Sequence, residues 1–406
     1  MDYLQSLPAP EELLRRHSPG GHIPEVNGHL HSPNSFCSFD SIGQMFQMAA
    51  DEGVKLLGIN DFYTVDGYEE FAMEAQRNSI YPLFNIEFMG LMPDMQEQDI
   101  RVNDPNNPGR IYFSGKALKH PLSVSSGNQK LLNDLQQSSQ EQVKEMISRA
   151  DAHLQSIKAS FNLGYEQIRE KYAHKLVRER HIARAIREAV MDSYTPRDQA
   201  YSFFELLFDG RKLSVSLDDP SAVENEIRSV LLKAGGKAFV PEDSDAFPEL
   251  QAIINFILDA GGIPCYPVLL DDKNGNMTGF EGDWDRMDEV LQSFRVSCLE
   301  LIPLRNSLEK LEEFVEYFSR KNYVISFGTE HNSPGLFPIT VKVNKDKDLS
   351  PELKKVSYEG CCVMAAHQYL VARGLEGCVD SQGCMSIDKQ DYYRDLGNAI
   401  IMEFTS

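Results

Sequence analysis

Short apolar runs alternate with amphipathic runs along most of this chain. Seven of the apolar runs have the length of buried strands: 26–31, 54–60 (VKLLGIN), 80–87 (IYPLFNIE), 109–114 (GRIYFS), 262–269 (GIPCYPVL), 296–303 (VSCLELIP) and 322–328 (NYVISFG). Helical patterns fall between them at 41–52, 66–77, 246–260, 284–294 and 307–321, with Ser41 and Ser307 placed to cap two of these helices. A strand followed by a helix, repeated in this way, predicts βα units and a parallel sheet or barrel. Seven strands suit a barrel.

The rhythm breaks twice. Between about 125 and 245 the sequence is polar and helical throughout, which predicts an inserted helical subdomain. Beyond about 345, Ser350-Pro351-Glu352 opens a helix and a further helical run follows at 356–374. The organisation expected is a lead segment 1–24, a first barrel part 25–124, the insertion 125–245, a second barrel part 246–345 and a C-terminal extension 346–406. Two roles are open for the extension, covering the barrel base or forming a dimer interface.

Composition adds limits. Of the 406 residues 42% are hydrophobic and 25% charged, the balance of an ordinary soluble globular protein. No stretch approaches the roughly 18 consecutive apolar residues of a membrane span. The run MDYLQSLPAPEELLRRH lacks the apolar centre of an export signal, and seven scattered cysteines make no disulfide framework, so a cytoplasmic protein is expected. A net charge of −21 disfavours a long nucleic acid as partner, because such binding depends on neutralising phosphates. It leaves room for a small phosphorylated molecule, held locally by a cluster such as Arg178, Arg180 and Arg184.

The chemistry begins at His29-Leu30-His31. Residues i and i+2 of a strand share a face, so both imidazoles point into one place. Carboxylates end the neighbouring strands: Asn60-Asp61, Ile86-Glu87, and Thr329-Glu330-His331-Asn332 after the last run. These are the strand ends where barrel active sites form. Nitrogen and oxygen donors without thiolate suit one or two divalent ions of Mn, Zn or Fe. Glu330 and His331 are adjacent, so only one points inward unless the strand has already ended.

On these residues the sequence resembles the PHP (polymerase and histidinol phosphatase) family of metal-dependent phosphoesterases. His29-Leu30-His31 resembles the family's opening His-x-His. LLGINDFYTVDGYEEF, with Asp61, is similar to its strand ending in Thr-Asp-His, and LFNIEF, with Glu87, to its strand ending in Gly-x-Glu. ERHIARAI, with His181, and GGKAFVPED at 235–243 look like segments of a nucleotide-phosphatase branch. The resemblance implies a distorted (β/α)7 barrel with an inserted helical subdomain and a C-terminal helical extension.

It also implies site roles. His29, His31, Glu87 and Glu330 would hold metal, and Asp61 would bridge ions or take the proton of an attacking water. His331 and Tyr266 would assist catalysis, Tyr266 being either a hydrogen-bond donor to substrate or a core aromatic. His181, Arg178, Arg180 and Arg184 would contact a phosphate. The departures are equally definite: Phe36, Phe62 and Tyr266 stand where the family has ligands, and the Ser-Asp-x-His ending is Thr329-Glu330-His331-Asn332. A full three-metal centre is therefore not expected. Two functions stay open: a hydrolase of a small phosphorylated metabolite, or a PHP-like protein whose reduced site performs non-phosphate sugar-type chemistry or only binds a ligand.

Overall fold

In a computed structural model, all seven apolar runs form strands: β1 (Glu25–Leu30), β2 (Val54–Phe62), β3 (Tyr81–Leu91), β4 (Arg110–Lys116), β5 (Ile263–Val268), β6 (Cys298–Leu301) and β7 (Val324–Phe327). The structure describes residues 3–17, 20, 23–242, 246–271 and 275–406, so the expected boundary at residue 245 lies outside it. The strands form one sheet in the order β1 to β7. Thr329 N and Glu330 N donate to His29 O, and His31 N donates to Glu330 O, which joins the two edges into a nearly closed barrel. β2 and β3 are buried along almost their whole length, as expected of strands covered on both faces.

The parallel expectation fails at one strand. β4 runs antiparallel to both β3 and β5, while the other pairs are parallel. The connection from β3 to β4 carries only a short helix, Pro93–Glu97, in place of a full crossover helix, so the chain turns back at the mouth. β4 consequently ends at the floor of the barrel. The expected helix at 246–260 also starts late, at Leu250, because Pro248 O and Glu249 are used in pairing with Leu91.

The segment after β4 climbs back to the mouth along one long helix, Ser126–Ser156. Its 31 residues span roughly 46 Å at 1.5 Å per residue. At the floor, Asp259 Oδ2 accepts from Ser125 N (2.7 Å) and Asn128 Nδ2 (2.6 Å). Higher up, Gln136 Nε2 donates to Tyr63 O at 2.8 Å, beside the end of β2. The outer half joins the helices Glu179–Ser193 and Arg197–Leu207 in a separate apolar core that includes Met146, Ile182, Ile186, Phe203 and Phe204.

The helix Pro351–Ala372, in the C-terminal extension, packs over the base, one of the two roles expected for it. Gln368 Oε1 accepts from Phe84 N (2.9 Å) and its Nε2 donates to Pro82 O (2.8 Å), at the floor end of β3. Gly360 passes so close to β7 that a Cβ there would lie 1.9 Å from Ile325 O. His367 is buried, with Nε2 bonded to Gly261 O (2.9 Å) and Nδ1 accepting from Cys378 N (3.1 Å). All seven cysteines are free, and six are buried.

Two outcomes follow from this packing. Gly360→Ala should cost at least the roughly 1–3 kcal/mol of an overpacked core, read as a lower denaturant midpoint; an unchanged midpoint would refute the close approach. Burial lowers the pKa of His367 from 6.5 to about 4. The unfolded chain therefore binds this proton first, and the stability that neutral His367 contributes is lost as pH falls from about 6.5 to 4. Urea titrations across that window should show a slope that is smaller in His367→Gln; equal slopes in the two proteins would contradict it.

Candidate metal centre

His29, in β1, and His31, one residue past its end and held by its N–H on Glu330 O, both reach the inside of the barrel. His29 Nδ1 meets Glu300 Oε2 at 2.8 Å, and a carboxylate there fixes the ring with its proton on Nδ1. Nε2 is left as a bare lone pair. Asn60 Nδ2 lies 3.3 Å and 3.2 Å from the two ring nitrogens, near-equal distances that set it against the ring rather than along either lone pair.

His29 Nε2 faces His31 Nε2 at 3.3 Å, and His31 Nε2 faces Glu87 Oε2 at 3.2 Å. Donor atoms of the three residues lie within 4.8 Å of one another. Ligands about 2.0–2.2 Å from a tetrahedral ion stand roughly 3.4 Å apart, and the His29–His31 and His31–Glu87 contacts have that spacing. One shared proton can relieve one of these contacts; a cation relieves all of them. The donor set fits a divalent metal, with His29, His31 and Glu87 as its ligands. Without an ion, burial pushes the Glu87 carboxyl up to about 8 against the pull of His29, and burial lowers the pKa of His31.

Glu330 borders the cluster. Its carboxylate pairs with Arg305, and although burial opposes ionisation, Arg305 and then His29 and His31 hold its pKa below the usual carboxylate range. The strand has ended at Phe327, and Glu330 (φ 64°) and His331 (φ 55°) both adopt left-handed backbone. Their side chains part there. His331 turns away between Phe39 and Phe337, with Nδ1 bonded to Thr329 Oγ1 (2.8 Å) and Nε2 to Phe337 O (2.9 Å).

Three expected site residues are used elsewhere. Both nitrogens of His331 are engaged, so it is a packed structural side chain. Asp61 accepts from Ser32 N (2.7 Å) and Ser32 Oγ (2.5 Å), which ties down the loop after β1. Tyr266 is fully buried and gives its hydroxyl to Glu281 Oε1 at 3.0 Å, which makes it the core aromatic of the two alternatives.

The insertion reaches the mouth through the start of the helix Glu179–Ser193. The Arg178 guanidinium lies 4.5 Å from the Phe62 ring centre, and that of Arg180 5.5 Å from Phe36. His181 meets Phe36 edge-on at 5.0 Å, while its Nδ1 accepts from Arg178 N at 2.9 Å. Burial, then Arg178 and Arg184, lower the His181 pKa to about 3, so it packs as a neutral ring. Arg184 stands further out, beside Glu188 at 3.3 Å. Two aromatics that replace expected ligands thus form the platform on which the insertion sets two arginines.

Sequence reasoning missed the residues beneath the cluster. Lys116, at the end of β4, and Glu300, in β6, are fully buried; Nζ donates to Glu300 Oε2 at 2.5 Å and to Asn60 Oδ1 at 3.2 Å. Ser114 Oγ donates to Glu300 Oε1 at 2.5 Å. Burial opposes both charges, but each holds the other ionised: Lys116 is raised by Glu300, and Glu300 is well below the usual carboxylate range through Lys116 and His29. The available signal was a charged residue inside an otherwise apolar strand, as in VSCLELIP.

Comparison with solved structures finds the same fold. A candidate metal-dependent phosphoesterase from Bifidobacterium adolescentis is 14% identical with a TM-score of 0.50, covering 82% of this chain and 94% of that one. An amidohydrolase from Chromobacterium violaceum, with bound sulfate and no metal, is 16% identical with a TM-score of 0.52, covering 82% and 96%. No curated protein matches the sequence. The PHP domain matches residues 27–209, from β1 through β4 and into the insertion. Residues 27–209 are thus similar to a PHP domain, over the part of the barrel that carries His29, His31 and Glu87.

Proposed function

We propose that the chain is a metal-dependent hydrolase of the PHP type acting on a small phosphorylated metabolite. The observation that carries the reading is the convergence of His29 Nε2, His31 Nε2 and Glu87 at coordination spacing. A bound divalent ion would supply Lewis acidity, acidifying water and offsetting charge on a phosphoryl oxygen. The chain's residues do the rest. Glu300 orients His29, while Glu330, kept ionised by Arg305, is the carboxylate left to take a proton from water.

The substrate class is argued from the mouth. Arg178, held on Phe62, is close enough that its charge acts on His31, which suits binding an anionic group beside the metal. Against a net charge of −21 this is a local cationic spot, sized for one or two phosphates and unsuited to a polyanion. Among the described residues no helix is long and apolar enough to cross a membrane, consistent with a substrate met in water. A second reading, non-phosphate chemistry or ligand binding alone, draws on Phe36, Phe62 and Tyr266, which remove expected ligands.

His29→Ala should abolish stoichiometric metal uptake, measured by elemental mass spectrometry after loading with Mn²⁺ or Zn²⁺. A wild-type protein that takes up no metal under those conditions ends the hydrolase reading. If metal binds yet no phosphate monoester or diester in a broad panel is cleaved, the second reading replaces the first. Arg178→Gln should raise KM for a phosphorylated substrate about tenfold to a hundredfold, the scale of one charged hydrogen bond, with metal content unchanged. An unaltered KM would remove Arg178 from substrate binding.

A further inference from the structure

Lys116 is a charged side chain with no exposure, placed inside the barrel next to a candidate metal centre. Such a charge is tolerated only with a partner and satisfied hydrogen bonds. Its ammonium bonds Glu300 Oε2 and Asn60 Oδ1, and Glu300 Oε2 also meets His29 Nδ1. Glu300 Oε1 is taken by Ser114 Oγ. A carboxylate next to His29 would otherwise be an obvious ligand for a second ion. Here both lone-pair directions of Oε2 are occupied, and the nearest cation is the lysine.

The remaining charges point the same way. Glu330 is matched by Arg305, and Glu300 by Lys116. Asp61 spends both oxygens on Ser32. With Glu300 and Glu330 paired to a lysine and an arginine and Asp61 bonded to Ser32, Glu87 is the carboxylate that remains beside the two imidazoles. Phe36 and Phe62 bring no donor atoms to the mouth.

We propose that Lys116 stands in for a second metal ion: its ammonium gives Glu300 the positive partner a cation would provide, and it holds the centre to one divalent ion. The proposal rests on the metal reading of the same cluster and adds its stoichiometry. Lys116 is a positioning residue in this scheme. It keeps Glu300 in place on His29 and repels a second cation from the space above.

Calorimetric titration with Mn²⁺, with elemental mass spectrometry of the full chain, tests it. Wild type should bind one ion. Lys116→Met releases Glu300 and should take up a second ion or bind the first about tenfold more tightly, whereas Lys116→Arg, which keeps the charge, should stay at one. If Lys116→Met does not fold, Lys116→Gln makes the same comparison of charge, since its neutral amide still has a polar partner in Asn60. Two ions in wild type, or a neutral variant equal to wild type in both count and affinity, overturn the role of Lys116 and leave the hydrolase reading standing. No ion in wild type overturns both.

Discussion

Lys116 and Glu300 meet out of reach of water, on two strands of the barrel interior, and neither charge is tolerable there without the other. The same carboxylate oxygen that takes the ammonium also holds His29 by Nδ1. This fixes the ring, the ring fixes which nitrogen faces His31, and the two histidines with Glu87 make the candidate centre. The order of dependence runs from the buried ion pair upward to the chemistry.

Backbone constraint supplies what the ion pair does not. Gly328 passes against His29 so closely that a Cβ would sit 2.3 Å from the His29 Cβ, so the closing edge of the barrel needs glycine at that point. Two residues further on, left-handed backbone at Glu330 and His331 separates side chains that an extended strand would send to opposite faces in a different frame. Conformations of this kind cost free energy and persist where surrounding contacts impose them. Here those contacts are the hydrogen bonds to His29 O and from His31 N.

Strand positions were plain in the sequence because each is a short apolar run bounded by polar residues, and the His29-x-His31 pair declared its shared face through the period of two. Direction was not legible: apolarity says that RIYFSGK is buried, and nothing in it says that β4 runs backward. Nor was the partnership of Lys116 with Glu300, since the two are 184 residues apart and each reads alone as a stray charge. Asp61 shows the opposite limit. Its place at a strand end suggests a ligand, and only the fold reveals that Ser32 uses both of its oxygens. Phe36 and Phe62 read as losses in the sequence, and became intelligible once Arg178 and Arg180 were seen resting on them.

The helix Ser126–Ser156 is anchored at the barrel floor by Asp259 and ends inside a hydrophobic core of another unit. The candidate metal donors come from strand ends of the barrel, whereas the arginines above them arrive on a separately packed body that this strut connects to the floor. The candidate ligands and the arginines proposed to meet an anion thus have different structural owners in one chain. Substitutions in the insertion's own core would thus reach the arginines without touching a residue of the candidate centre.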